Sequence, residues 1–264
     1  MPRRSRVRDG AGKGPLSYRK HHLFHVLAAA QVATLNLISD RADRPRGCLF
    51  DMHAADGMGG PTPQGDLFDE NLSQSTAALC LWLADRCSPA PHIVLCERNR
   101  EKRAALTARF GDLPDLHILS NNNQISELLP ALGDLGWTFT LNDPCGHSGH
   151  NLEMMCAINR CCSRSDFGVS VNVGSVQRHC SVGATGTDDH LYANAHLIAR
   201  VRASNQQYAW MPDPLEWCRH LNKRFAVASR GTVNNSAYRG QLMLLTNYVA
   251  VGLRRHRDFE VFER

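Results

Sequence analysis

The sequence has 264 residues, of which 43% are hydrophobic, enough to bury the core of a globular domain. Its charged fraction of 21%, its 20 Gly and its 12 Pro exclude a collagen, a coiled coil and a fully disordered chain. The net charge of +5 is concentrated at one end, because residues 1–20 sum to +6 and the remainder to −1. We therefore expect a basic flexible arm at residues 1–16, with nucleic acid as its partner, and a single domain at residues 17–264.

Ten cysteines are present, and no C-x-x-C spacing occurs among them. Cys48, Cys80 and Cys96 lie in apolar runs, where a free thiol packs as a small hydrophobic group. This usage predicts reduced thiols in a cytoplasmic protein and no bound metal. No apolar run approaches the roughly 20 residues of a membrane span, so no membrane association is expected. The sequence makes no prediction of the oligomeric state.

The hydrophobic pattern predicts helices and strands that alternate along the chain. First comes an amphipathic helix, with Leu23, Leu27 and Leu37 at helical spacing. The predicted strands are 48–51, 92–96, 116–119, 137–141, 168–173, 225–229 and 241–249. The later predicted helices are 73–86, 100–110, 125–132, 152–162, 191–201 and 214–221.

This alternation is typical of a parallel sheet with crossover helices. The last two strands are only eleven residues apart, too close for a crossover helix, so we expect an antiparallel hairpin at the edge of the sheet. The predicted fold class is therefore α/β and Rossmann-like, with a mostly parallel seven-stranded sheet that ends in an antiparallel hairpin.

Polar residues and glycines follow four successive strands. Open parallel sheets bind ligands at the carboxyl ends of their strands, where the strand order reverses, so we expect these residues to meet in one site. A carboxylate after the second strand is suited to the ribose hydroxyls of an adenosine group, and glycines allow close approach of the backbone. The residues are Asp51, Gly57, Gly59, Glu97, Asn121, Asn122 and Asp143.

The order of these motifs resembles the class I S-adenosylmethionine-dependent methyltransferase fold, over residues 17–250. The turn at residues 51–59, D-M-H-A-A-D-G-M-G, is similar to the D-T-H-A-G-A-G turn of bacterial large-subunit ribosomal RNA adenine-N6 methyltransferases. Their N-terminal Tyr-Arg-His stretch is similar to S-Y-R-K-H at residues 17–21. The D-P-C-G at residues 143–146 is closer to the D-P-F-G of the three-Cys-motif partner family.

The resemblance implies S-adenosylmethionine as the cofactor and a base of DNA or RNA as the methyl acceptor. The residues expected to hold the cofactor are Asp51, His53, Ala54, Gly57, Gly59, Glu97, Asn121, Asn122 and Asp143. The residues expected to be catalytic are Asp143, Pro144, Cys145 and His147. Two departures from the family pattern are Ala55, which replaces a usual glycine, and Cys145, where an aromatic would stack on a flipped base.

Methylation of an exocyclic amine, of the adenine N6 type, is the predicted reaction. Asp143 and the Pro144 carbonyl would accept hydrogen bonds from the amine, and His147 would serve as a general base. One alternative is methylation at pyrimidine C5, with Cys145 as the nucleophile. A second is a methyltransferase fold that binds nucleic acid or a protein without catalysis. A nicotinamide dehydrogenase is disfavoured because no G-x-G-x-x-G follows the first strand.

Overall fold

The computed structural model describes residues 15–39, 45–55, 57, 75–144, 149–173, 209–230 and 240–264. Within these ranges eight strands form one sheet, in the order β3-β2-β1-β4-β5-β7-β6-β8. The strands are β1 (Gly47–Asp51), β2 (His92–Cys96), β3 (Leu116–Leu119), β4 (Trp137–Asn142), β5 (Ser165–Asn172), β6 (Phe225–Ser229), β7 (Gly240–Thr246) and β8 (Phe259–Glu263). The α-helices are α1 (Pro15–Ser39), α2 (Thr76–Ala84), α3 (Arg100–Phe110), α4 (Ile125–Leu128), α5 (Leu152–Cys161), α6 (Pro214–Leu221) and α7 (Val251–Arg254).

The predicted fold class is confirmed. Strands β1 to β5 are parallel, and their order 3-2-1-4-5 is that of doubly wound Rossmann-type sheets. Strand β7 runs antiparallel between β5 and β6, so the predicted hairpin is present. Because the chain goes in opposite directions from β1, the strand order reverses between β1 and β4. The carboxyl ends of these two strands therefore flank the position where such sheets bind ligands.

The predicted number of seven strands was wrong, because β8 pairs antiparallel with β6 and becomes the edge of the sheet. The predicted strand 168–173 also begins three residues earlier, at Ser165. The predicted helix 125–132 changes after Leu128 into a 3₁₀ turn, Leu129–Leu132, which contains Pro130. Proline has no N–H to donate, which favours such a break in an α-helix. The predicted helix 191–201 lies outside the described residues.

Two layers of helices cover the sheet, and successive strand residues alternate between them. In β1, Leu49 packs with α1 and α2, while Cys48 and Phe50 pack with α5 and α6 on the other face. Cys48, Cys80 and Cys96 are all buried in these apolar layers, which confirms that they pack as small hydrophobic groups. Among the helices described, none is long and apolar enough to cross a membrane.

Helix α1 packs lengthwise on the sheet and is held at its far end by a buried amide. Leu23 and Leu27 are buried as predicted, whereas Leu37 is 73% exposed. The fully buried Gln31 places its Nε2 2.8 Å from Asp166 Oδ2 and 2.7 Å from the Tyr248 carbonyl oxygen. Burial raises the pKa of Asp166 to about 6. These contacts connect α1 to β5 and to the chain after β7.

Candidate functional site

The carboxyl ends of β1 to β4 open into one cavity of about 340 Å³. Its lining brings together six of the residues predicted to hold the cofactor or to be catalytic, and six others. The first group is His53, Glu97, Asn121, Asn122, Asp143 and Pro144; the second is Met52, Ala55, Cys96, Arg98, Lys102 and Gly149. The lining does not include Asp51, Ala54 or Gly57. Gly59, Cys145 and His147 lie outside the described residues.

Asp51 ends β1 as a fully buried carboxyl. Its Oδ1 accepts a hydrogen bond of 3.0 Å from the His53 backbone N–H, and its Oδ2 has no hydrogen-bond partner among the described residues. Burial raises the pKa of Asp51 to about 7, and the charges of Asp143 and Glu97 contribute in the same direction. The carboxyl groups that follow β1, β2 and β4 are therefore close enough to influence the pKa of Asp51.

The turn after β1 adopts the left-handed backbone conformation at two positions. Gly57 has a φ of 68°, and a Cβ there would lie 2.8 Å from Phe110 Cε2 and 2.9 Å from Leu106 Cδ2. Both the backbone angle and the contact with α3 therefore favour glycine at this position. Ala55 has a φ of 54°, although it carries a Cβ. Ala55 thus holds, with a Cβ, a backbone conformation that glycine adopts at lower cost.

The ends of β2 and β3 carry the polar groups predicted to recognise an adenosine. Glu97 Oε1 accepts a 2.6 Å hydrogen bond from the Asn99 N–H, which fixes one side of this cavity-lining carboxylate. Asn122 Oδ1 accepts a 3.1 Å bond from Asn151 Nδ2. Asn151 also caps α5, since its Oδ1 accepts from the Met154 N–H at 3.1 Å. The loop after β3 is therefore attached to the helix that follows β4.

Asp143, immediately after β4, pairs with a residue that sequence reasoning did not select. Lys20 Nζ on α1 donates to Asp143 Oδ2 at 2.6 Å, and the two side chains are 15% and 13% exposed. Burial by itself raises the pKa of Asp143, but the charge of Lys20, with contributions from His21 and Ser170, lowers it overall. Asp143 is consequently held as a carboxylate and oriented from the first helix.

His53 joins the turn after β1 to the segment after β4. Its Nε2 lies 3.1 Å from the Gly149 carbonyl oxygen. Burial lowers the pKa of His53 below its usual 6.5, although Asp143 and the Gly149 carbonyl act in the opposite direction. A neutral imidazole beside a carbonyl must carry its proton on the facing nitrogen, since the carbonyl can only accept. His53 is therefore assigned as the Nε2–H tautomer.

Four residues of the site had no role in the sequence interpretation: Lys20, Arg98, Lys102 and Gly149. For Lys20 a signal existed, because it lies in the S-Y-R-K-H stretch that resembles a family motif. Arg98 and Lys102 follow Glu97 at the start of α3, where a cluster of basic residues looks like an ordinary solvated face. Whether Arg98 and Lys102 line the cavity depends on the direction in which the chain runs from the end of β2 into α3.

No family model and no curated protein matches the chain. Solved structures similar to it include a Legionella pneumophila protein at 10% identity and a TM-score of 0.47, covering 94% of this chain and 96% of that one. An O-methyltransferase from Bacillus cereus, solved with SAH, has 13% identity, a TM-score of 0.46 and coverage of 90% and 84%. The bifunctional kinase-methyltransferase WbdD has 16% identity and a TM-score of 0.45; 88% of this chain matches 40% of that one. Likenesses of this strength carry no information about activity, and the fold assignment depends on the strand order of the chain itself.

Proposed function

We propose that this chain is an S-adenosylmethionine-dependent methyltransferase that acts on an exocyclic amine of a nucleic-acid base, of the adenine N6 type. The observation that carries the proposal is the convergence of four strand ends on one cavity. The cavity combines a carboxylate after β2, amides after β3 and an Asp-Pro after β4. This is the set of groups expected for an adenosine-bearing cofactor beside an amine acceptor.

The residues present fit such a cofactor in their polar groups and in size. Glu97 and Asp143 line the cavity, and the Asp51 carboxyl nearby has an unpartnered buried oxygen. A volume of about 340 Å³ lies within the range of small-molecule sites, which is roughly 300–1,000 Å³. When bound, S-adenosylmethionine supplies an electrophilic methyl group on a positively charged sulfur. Glu97 would hold the ribose, and Asn121 and Asn122 would hold the adenine edge.

On the acceptor side, the protein's task is to orient an amine, and His147, the predicted general base, would take the proton that the nitrogen loses when the methyl group passes to it from sulfur. Asp143, kept ionised by Lys20, accepts one N–H of the amine, and the Pro144 carbonyl accepts the other. Two such acceptors direct the nitrogen lone pair away from themselves and into the cavity. Good alignment of this kind supplies much of the rate enhancement when little covalent chemistry is asked of the protein.

Nucleic acid as the acceptor is supported by the distribution of positive charge. The first twenty residues sum to +6, and 26 of the 30 basic residues are arginine, which contacts phosphates and bases well. Lys20 belongs to this basic stretch and reaches Asp143, so the stretch meets the fold beside the proposed acceptor site. Arg98 and Lys102 add two cations to the lining of the cavity.

Calorimetric titration with S-adenosylmethionine is the first test, and binding to the wild type is the expected result. If the folded protein does not bind S-adenosylmethionine, the proposed enzymatic activity is refuted and the alternative of a binding module remains. Transfer of tritiated methyl groups to unmodified DNA and RNA, followed by nucleoside analysis, then identifies the methylated atom. N6-methyladenosine or its deoxy form supports the proposal, whereas 5-methylcytosine indicates the pyrimidine alternative that uses Cys145.

Deletion of residues 1–14 separates the roles of the arm and the domain. Nucleic-acid affinity should fall, and the slope of log affinity against log salt should become shallower, because fewer counterions are released. Affinity for S-adenosylmethionine should not change. An unaltered salt dependence would contradict the arm as a nucleic-acid contact.

A further inference from the structure

The turn after β1 and the segment after β4 meet in a group of three residues, His53, Gly149 and Pro144, which we call the His53 clamp. All three line the cavity. His53 begins the clamp because its backbone N–H donates to Asp51 Oδ1 at 3.0 Å, which fixes the backbone of His53 at the end of β1. The clamp therefore starts from a strand end at the centre of the sheet.

The second element of the clamp is the bond between His53 Nε2 and the Gly149 carbonyl oxygen, at 3.1 Å. The two residues are 96 positions apart in the chain. In the Nε2–H tautomer the ring donates and the carbonyl accepts. This bond ties the backbone at Gly149 directly to the turn after β1.

The third element is the close approach of Gly149 to Pro144. A Cβ on Gly149 would lie 2.4 Å from Pro144 Cβ and 3.7 Å from His53 Cε1. Only a glycine allows this distance, because real Cβ atoms do not come so near another carbon. Gly149 is thus packed against the proline ring on one side and held by the imidazole on the other.

We infer that His53 is a positioning residue for the acceptor site, which it controls through Gly149 and Pro144. The inference rests on the proposed function, in which the Pro144 carbonyl accepts a hydrogen bond from the acceptor amine. Releasing Gly149 allows the proline and its carbonyl to move. A displacement of about 1 Å at a reacting group can reduce the rate about 100-fold. His53 thereby acts on alignment of the acceptor, whereas the resemblance seen in the sequence implied that it holds the cofactor.

Three substitutions of His53 distinguish this role from a general loss of structure. In His53→Gln the amide nitrogen takes the place of Nε2 and can still donate to the Gly149 carbonyl, whereas in His53→Asn the amide is too short to reach. His53→Ala removes the donor completely. His117→Ala, on β3 and away from the carboxyl ends of the strands, is the matched control.

Amide hydrogen exchange at residues 149–151 is the readout that does not depend on activity. We expect exchange there to be about tenfold faster in the Ala and Asn variants, as for the loss of one neutral hydrogen bond. The Gln and His117→Ala variants should resemble the wild type. Protection of residues 149–151 that is equal in all variants would overturn the clamp, whether or not the protein methylates nucleic acid.

Methyl transfer gives the second readout. With S-adenosylmethionine and unmodified RNA or DNA, His53→Ala and His53→Asn should lower kcat about 100-fold, while the Kd for S-adenosylmethionine changes by less than about threefold. His53→Gln should restore most of kcat. A weakened Kd with kcat retained would show a cofactor contact and overturn the positioning role. Failure of the wild type to bind or transfer refutes the proposed function, and hydrogen exchange still decides the clamp.

Discussion

Replacing Lys20 with Met tests the ion pair between α1 and the end of β4. The substitution removes the ammonium and keeps the apolar part of the side chain. Removing one partner of a fully buried pair costs about 3–5 kcal/mol, and of an exposed pair about 0–1 kcal/mol. The side chains of Lys20 and Asp143 are 15% and 13% exposed, close to the buried limit. We therefore expect Lys20→Met to lower the free energy of unfolding by about 2–3 kcal/mol.

Thermal and urea unfolding at pH 7 measure this loss. For a domain of this size it corresponds to a fall in Tm of about 4–12 °C. The double variant Lys20→Met/Asp143→Asn should be more stable than the sum of the single changes predicts, because no unpaired charge remains. The control is Arg224→Met, which breaks the exposed pair with Glu263 and should cost less than about 1 kcal/mol.

The loss should also depend on pH. Lys20 lowers the pKa of Asp143 against the effect of burial, and a carboxyl with a lowered folded pKa stabilises the fold above its unfolded value, about 3.9. That contribution disappears as the pH falls through the folded pKa. In Lys20→Met burial alone acts on Asp143 and raises its folded pKa, so the difference in stability should be largest at pH 7 and should shrink as the pH falls through the folded pKa values of the variant and the wild type. Equal stability at pH 7, or a deficit that stays the same as the pH falls, refutes this reasoning.

Three further changes have defined outcomes. Gly57→Ala combines a positive φ with a contact on the Phe110 ring and should lower the free energy of unfolding by about 2–4 kcal/mol in thermal melts. Asp166→Asn keeps an oxygen that can accept from Gln31. Because burial raises the pKa of Asp166 to about 6, the wild type loses stability as the pH rises from about 4 to 6, and the variant does not. The Tm of Asp166→Asn relative to wild type should therefore be higher at pH 8 than at pH 4. Glu97→Ala should weaken S-adenosylmethionine binding about 10-fold or more by calorimetry, as for the loss of a charged hydrogen-bond acceptor.

Matched controls exist for each change. Gly133 has a φ of 71° and no atom within 4 Å of the position that a Cβ would take, so Gly133→Ala carries a backbone cost alone, of about 1–3 kcal/mol. If Gly57→Ala costs no more than the backbone strain of about 1–2 kcal/mol expected at a positive φ, the contact with Phe110 is unimportant. A gain for Asp166→Asn that is larger at pH 4 contradicts the sign of the linkage. Glu101→Gln on the exposed start of α3 should not affect cofactor binding, and unchanged binding in Glu97→Ala contradicts the ribose assignment.

The convergence of strand ends was predictable because each βα unit encodes it locally. Glu97 and Asp143 each follow an apolar run that must be a buried strand, and parallel strands end on the same side of a sheet. Predicting this convergence required no knowledge of the contacts between different βα units. The antiparallel pairing of β6 and β7 was also predictable locally, because the connection between them is too short for a crossover helix.

Other features depend on packing across the chain and had no local signature. Lys20 and Asp143 are 123 residues apart, and their contact requires the direction in which α1 crosses the sheet. The clamp between His53 and Gly149 depends equally on how two loops meet. Strand β8 is a partly exposed edge of five residues with two glutamates, so its pattern is too short and polar to distinguish it from a terminal coil.

Helix α1 is fastened by polar groups at two points, Lys20 near the carboxyl ends of the strands and Gln31 near the start of β5. Eleven residues of helix separate them, a rise of about 16 Å. Helix α1 is thus fixed to the sheet at two positions, Lys20 and Gln31, and its buried leucines prevent it from rotating about its axis. A shift of Gln31 along the helix axis would move the Lys20 ammonium with it, because an α-helix keeps a fixed rise per residue. The alignment of Asp143 is for this reason a property of the whole first helix.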